Sequence, residues 1–299
     1  MLTRPENGAE INSAGTSRHA SKKNVSYVTL SAAAVLLHLG CPGYSGALGA
    51  DLQPSASALM KDVVANELTD RTTEHSNWMY HVTKTVEQQK LTQIEIETKD
   101  GPVHRLLAIN DAPLDSAQQK QEAVRQEELI RDPSQQLAIK KQNDADERRL
   151  EKFLRLLPSA FLFRYDGWDG AYLRLNFWPD PAFIPPTMES KALQSMAGTI
   201  LVNPLQKRLA HINGYLLENV DFGFGLLGRL AKGGTFEIER TQVSSSHWKT
   251  HIVDINVSGR MLLFKTISKQ QHETRSDFEP VSSDLDLKQA EELLQSRPN

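Results

Sequence analysis

Hydrophobic and polar residues alternate with period two along much of the chain after residue 76, which sets every second side chain on one face of a sheet. Trp78, Tyr80, Val82 and Val86 alternate with Asn77, His81, Thr83 and Thr85, and Ile94 and Ile96 alternate with Glu95 and Glu97. The turn Lys99-Asp100-Gly101-Pro102 leads into residues 103–109 and predicts a hairpin. Phe161, Phe163 and Tyr165 run into Asp166-Gly167-Trp168-Asp169-Gly170, and Leu173, Leu175 and Phe177 run out of that turn. Further strands are predicted at 198–203, 207–212, 215–222, 235–243, 247–257, 260–267 and about 271–278. The apolar phase slips at Ile252 and Val253, which is what a β-bulge does. Short connections predict antiparallel pairing, because a parallel crossover needs about a dozen residues or more.

Helical spacing appears between the strands. Leu59, Met60, Val63, Val64 and Leu68 fall on one stripe within residues 54–75. Residues 114–157 interrupt the strand pattern with a Gln-, Lys- and Glu-rich segment, split at Asp132-Pro133-Ser134. Proline cannot continue the first helix, and Ser134 is expected to cap the second. Leu150, Phe153, Leu154 and Leu157 then form a stripe expected to dock on the sheet. Prolines 179, 181, 185 and 186 force an extended connection, a short helix is predicted at 188–196, and a terminal helix at 284–295. The pattern predicts an α+β protein: a strongly curved antiparallel sheet, an incomplete barrel, wrapped around helices and carrying a helical insertion.

The first 50 residues read as targeting. Arg18, Lys22 and Lys23 precede an apolar run from 25 to 39, and small residues follow from 43 to 50, the order of a secretory signal. The run is short for a membrane-spanning helix, which needs about 20 apolar residues. Two alternatives stay open: a retained anchor, and a lipid attached at Cys41, the single cysteine. The expected location is the periplasm or outer cell envelope. The domain division is then 1–50 for targeting, 51–283 for the main domain with its insertion at 114–157, and 284–299 for a polar C-terminal tail or helix. At 299 residues and 39% hydrophobic content the chain can bury a core without disulfides. Beyond residue 50 it holds 30 Lys/Arg against 35 Asp/Glu, a net −5, which excludes the strongly basic face of a nucleic-acid binder.

Candidate chemistry is sparse. Gly223-Phe224-Gly225-Leu226-Leu227-Gly228 matches the dinucleotide pattern G-x-G-x-x-G, but Gly233-Gly234 follows too soon for the helix that would hold a pyrophosphate. A glycine-rich turn is the reading. His247 and His251 lie four apart, which on a strand separates them by roughly 13 Å, too far to share a metal. Asp166 and Asp169 are turn residues first, as are Ser244, Ser245 and Ser246. Segment 116–155 carries nine Lys/Arg and eight Asp/Glu, a solvated helix pair or a movable cover. The aromatic and leucine residues Trp178, Phe183, Phe222, Phe224, Leu226, Leu227 and Trp248 are candidates to line an apolar cavity. No cofactor, metal or catalytic constellation is predicted.

The order of pieces resembles the periplasmic lipoprotein carrier and outer-membrane lipoprotein receptor superfamily, the Lol-type half-barrel. Gly198-Thr199-Ile200-Leu201-Val202-Asn203-Pro204 followed by Arg208-Leu209-Ala210-His211-Ile212 is the most family-like stretch. Residues 168–186, 225–236 and 259–265 look like bacterial envelope proteins of the lipoprotein-sorting type. The resemblance implies an incomplete barrel covered by helices, with an apolar cavity for acyl chains. The partners it implies are a lipid or acylated protein and envelope or membrane proteins. The carriers use a basic residue followed by proline; here Lys84 and Arg105 are followed by Thr85 and Leu106. Two rivals stand beside ligand binding. One is a solid-core adaptor that binds a protein through 114–157; the other is a hydrolase built on His81, His211, His247 or His251.

Overall fold

The computed structural model describes residues 54–86, 88–222, 228–261 and 265–297. In chain order, α1 (Ala56–Thr73) precedes β1 (Asn77–Val86), β2 (Gln89–Ile96), β3 (Val103–Ile109) and the two-residue β4 (Ala112–Pro113). The helices α2 (Ser116–Arg131) and α3 (Pro133–Ala160) follow, then β5 (Phe161–Asp169) and β6 (Tyr172–Pro179). A 3₁₀ turn (Glu189–Ser195) leads to β7 (Met196–Asn203), β8 (Arg208–Leu216), β9 (Val220–Phe222) and β10 (Gly228–Leu230). The chain ends with β11 (Thr235–Gln242), β12 (Trp248–Met261), β13 (Lys265–Val281) and α4 (Leu287–Ser296).

The strands form one antiparallel, 13-stranded sheet in the order β4-β3-β2-β1-β13-β12-β11-β8-β7-β6-β5, with β9 and β10 branching off β12. The sheet is open, ending at β4 and β5. The last strand lies beside the first, so β13 joins the β1–β3 meander to the rest.

Several boundaries differ from the sequence expectation. Residues 207–222 form one long strand through Asn213-Gly214, then the short β9, instead of breaking at that pair. The predicted strands 247–257, 260–267 and 271–278 are two long strands. The bulge expected at Ile252–Val253 lies at His251, where Glu239 and Arg240 pair with Ile252 and Thr250. The β5–β6 turn is Gly170-Ala171, and the strand runs through Trp168 with an irregularity after Tyr165. Asp132, not Ser134, caps α3: its carboxylate accepts the Ser134 N–H at 2.8 Å, and Pro133 sits at the first helical position, where a missing N–H costs no bond.

Helices cover both faces. The larger core packs Leu59, Met60, Val63 and Val64 of α1 and Leu157 of α3 against Leu175, Phe177, Ile200, Ile212 and Phe236. On the other face, Met79, Ile94, Ile96 and Val103 meet Leu129 of α2 and Leu287, Ala290 and Leu294 of α4. The predicted stripe on α3 does dock, with Phe153 and Leu154 beside Leu157 in the larger core. At its other end, α3 packs Ile139 on the smaller core and sets Lys140 2.9 Å from Asp100 in the β2–β3 turn. No helix among the described residues is long and apolar enough to cross a membrane.

Candidate functional site

Directly opposed residues of antiparallel strands share a face. One such row runs Tyr165, Leu175, Ile200, Ile212, Ile238, Val253, Glu273 and Lys84, across β5, β6, β7, β8, β11, β12, β13 and β1. It is apolar from Leu175 to Val253 and turns ionic at Glu273. The face beneath α1 and α3 is therefore amphipathic along the sheet, with its polar part on β1, β2 and β13.

That polar part is built from buried and half-buried groups that satisfy one another. Tyr80 donates its hydroxyl to Glu95 at 2.9 Å, and Gln93 donates to the second oxygen of Glu95 at 3.2 Å. The Arg275 guanidinium donates to Glu273 at 2.7 Å and lies 5.3 Å from the Tyr80 ring centre. Gln271 completes the Glu273 carboxylate at 3.3 Å, and Lys249 bonds Glu97 at 2.7 Å while facing the Trp78 ring. Burial and then the nearby Glu95 carboxylate hold the Tyr80 hydroxyl well above its usual range, so it stays a donor. Burial raises Glu97 against the pull of Lys249. Burial also opposes the charge on Glu273, but Arg275, helped by Lys84 and Gln271, keeps that carboxyl low. The set holds fixed charge inside the protein, where each pair is strong and each partner's loss is costly.

A second polar group clamps α1. Asp62 pairs with Lys207 at 2.6 Å, and Asn66 donates to the carbonyls of Gln206 and Lys207. Glu67 meets Arg240 at 2.6 Å and Arg208 at 3.6 Å, and Asp70 also takes Arg208. At its end, Glu74 meets His247 at 3.0 Å. By contrast, α3 is joined to α1 by the Arg71–Glu147 pair. The apolar cover therefore has one clamped helix and one held mainly by its apolar stripe.

Of the residues singled out in the sequence, the structure brings Phe183 and Phe222 to the larger core, the first buried and the second half-buried. Trp178 lies opposite Leu162, on the face away from Phe177, with the Arg164 guanidinium 5.8 Å from its ring. Trp248 is buried, but beside the α1 clamp: its indole donates to Gln206 at 2.5 Å, and its carbonyl accepts from Arg240. Phe224, Leu226 and Leu227 lie outside the described residues, as does most of the G-x-G-x-x-G stretch; its last glycine opens β10. The ionic set went unnoticed in the sequence because Glu95 and Glu97 alternate with Ile94 and Ile96 as they would on a solvated face. Both faces of β2 are in fact buried there.

His247 is the histidine closest to a hydrolytic arrangement. Ser244 Oγ lies 2.5 Å from its Nδ1 and Glu74 lies on its Nε2. Ser244 and His247 belong to one β11–β12 turn, closed by the Val243 N–H on the His247 carbonyl at 2.9 Å. The trio pins the end of α1 to that turn. His251 donates its Nδ1–H to the Arg275 carbonyl at 2.6 Å, and no metal-suited cluster of His, Cys, Asp and Glu occurs among the described residues. Two open clefts, of about 580 and 480 Å³, lie along α2 and are lined mainly by polar groups.

Compared with protein-family models, curated proteins and solved structures, the chain finds no match in any of the three.

Proposed function

We propose that this is an exported envelope protein of the Lol-type half-barrel class that takes an amphiphilic ligand, a lipid or an acylated protein, between its curved sheet and its helices. The observation that carries this reading is the amphipathic row that is apolar to Val253 and ionic from Glu273. Acyl chains would lie on the apolar strands and a polar head toward Tyr80, Glu95 and Arg275. Burial would contribute roughly 0.8 kcal/mol per CH₂. Because α1 is clamped by Arg208 and Arg240, the helix that gives way is α3, carrying α2 with it. Organic extraction and mass spectrometry of detergent-free protein from an envelope fraction tests this. A stoichiometric lipid or acyl peptide is expected. An empty, stable protein that also ignores a fluorescent fatty-acid probe overturns it.

A second reading has its own support. The apolar face is filled by side chains: Leu175, Phe177, Leu193 and Val202 are fully buried. The described clefts lie on α2 instead. A solid-core adaptor that meets a protein partner through α2 and α3 fits that packing, and an empty protein in the extraction would favour it.

A further inference from the structure

The last helix sits over the β2–β3 face with a carboxyl at its centre. Leu287, Ala290 and Leu294 of α4 are buried there, and Glu291 between them has no exposed surface. Its Oε1 lies 3.2 Å from Arg125 Nη2 on α2. That guanidinium is already committed to both oxygens of Glu122, at 2.8 and 2.9 Å, and to the His104 carbonyl. The second oxygen, Oε2, has no well-formed hydrogen bond: the Gln126 side-chain nitrogen, buried beside it on α2, is close enough to favour its charge but makes no full bond to it. A cleft of about 480 Å³, lined in part by Arg105, Gln119, Glu122, Gln126 and Gln295, opens beside this point.

We infer that α4 is a proton-operated latch, docked on the β2–β3 face while Glu291 is neutral and loosened once Glu291 ionises. The charged groups around it set the balance. Arg125 and Glu122 face it from α2 and Arg105 from β3, while β2 presents the apolar Ile94 and Ile96. On β3, His104 is held neutral by burial and by Arg125, so it adds no charge. On α4 itself, Lys288 and Glu292 pair in solvent, and Arg297 pairs with Glu279 of β13 while its carbonyl takes Arg105. Two cations and two carboxyls thus share the site, and Glu122 holds the better contacts to Arg125.

The direction follows from burial, which lifts the Glu291 carboxyl to about 7, with Arg125 pulling the other way. A released Glu291 titrates near 4.5. Docking is strongest below that value, weakens as pH rises toward 7, and stays weak above it, because only the released form ionises readily in between. Loosening uncovers Met79, Ile96 and Val103.

Hydrogen exchange of the full chain, corrected for the intrinsic pH dependence and read at α4 against β7, tests the latch. Between pH 5 and 8, α4 protection is expected to fall on the order of a hundredfold while β7 changes little. Glu291→Gln should abolish the fall. Equal behaviour of α4 and β7, or an unchanged pH response in Glu291→Gln, overturns the inference. Should that variant not fold, the carboxyl carbon of Glu291 followed by ¹³C NMR in the unmodified chain decides: a midpoint near 7 supports it, one below 5 refutes it.

Discussion

Gly198 on β7 and Gly214 on β8 stand directly opposite each other, and the Phe177 ring fills the space a side chain at Gly198 would take. A Cβ on Gly198 would lie 2.9 Å from both Phe177 Cζ and the Gly214 Cα, and it would strike the Asn213 carbonyl. Phe177 is fully buried and packs edge-on against Phe161 with centroids 5.4 Å apart. The bare glycine at 198 lets the fully buried Phe177 ring pack close to the sheet. Gly198→Ala should therefore cost about 3 kcal/mol in urea unfolding, since neither backbone nor ring can yield cheaply.

The clamp on α1 should show how burial sets the worth of an ion pair. Glu67 is largely buried and serves two arginines. Glu67→Gln leaves Arg208 and Arg240 short of a counter-charge and should cost about 3 kcal/mol. Arg155→Gln removes an exposed pair with Glu151 and should cost under about 0.5 kcal/mol. Equal losses in denaturant titrations of the two variants would refute the ranking.

The ionic set on β1, β2 and β13 should be strongly coupled. Arg275→Met leaves Glu273 and Glu95 buried beside no guanidinium, for a loss of about 3 kcal/mol. Adding Glu273→Leu should restore a good part of it, because the pair is then replaced by apolar volume. Additive losses in the double-mutant cycle would mean that the two side chains do not act together.

Acid should destabilise the protein through His104. Burial, reinforced by Arg125 and Lys84, lowers this imidazole from its usual 6.5 to about 3. The unfolded chain binds a proton below 6.5 that the folded chain refuses, so stability is full above 6.5 and falls as pH drops toward 3. His104→Gln should flatten that limb of a thermal-denaturation pH profile. An unchanged limb would show that other groups govern it.

Much of the element list was legible: the α1 stripe, the strands to β7 and the insertion split at Pro133 all follow from spacing and breakers. Two of the errors share a cause. Asn213-Gly214 and Ser258-Gly259 read as turns, yet both glycines lie inside long strands where a second backbone comes close. Gly214 faces Gly198, and a Cβ on Gly259 would strike the Arg229 carbonyl of β10, which pairs there. A glycine that permits contact looks in sequence like one that permits a turn. The candidate site was half visible for a similar reason. Leu175, Ile200 and Ile212 show apolar periodicity, whereas Glu95, Glu273 and Arg275 look solvated until their partners, far off in sequence, come to meet them.

The position of β13 sets the order in which the molecule can be finished. The Asn77 side chain is bonded to the carbonyl of Ser282, 205 residues later. A chain emerging N-terminus first can close β1 on β2 at once, but the other side of β1 has no partner until β13 has been made. Through that interval the first meander offers a bare strand edge bearing Trp78, Tyr80 and Val82, a template for any extended segment nearby. Incomplete copies of this protein would carry that hazard permanently, which makes early termination more dangerous to the cell than simple loss of the product.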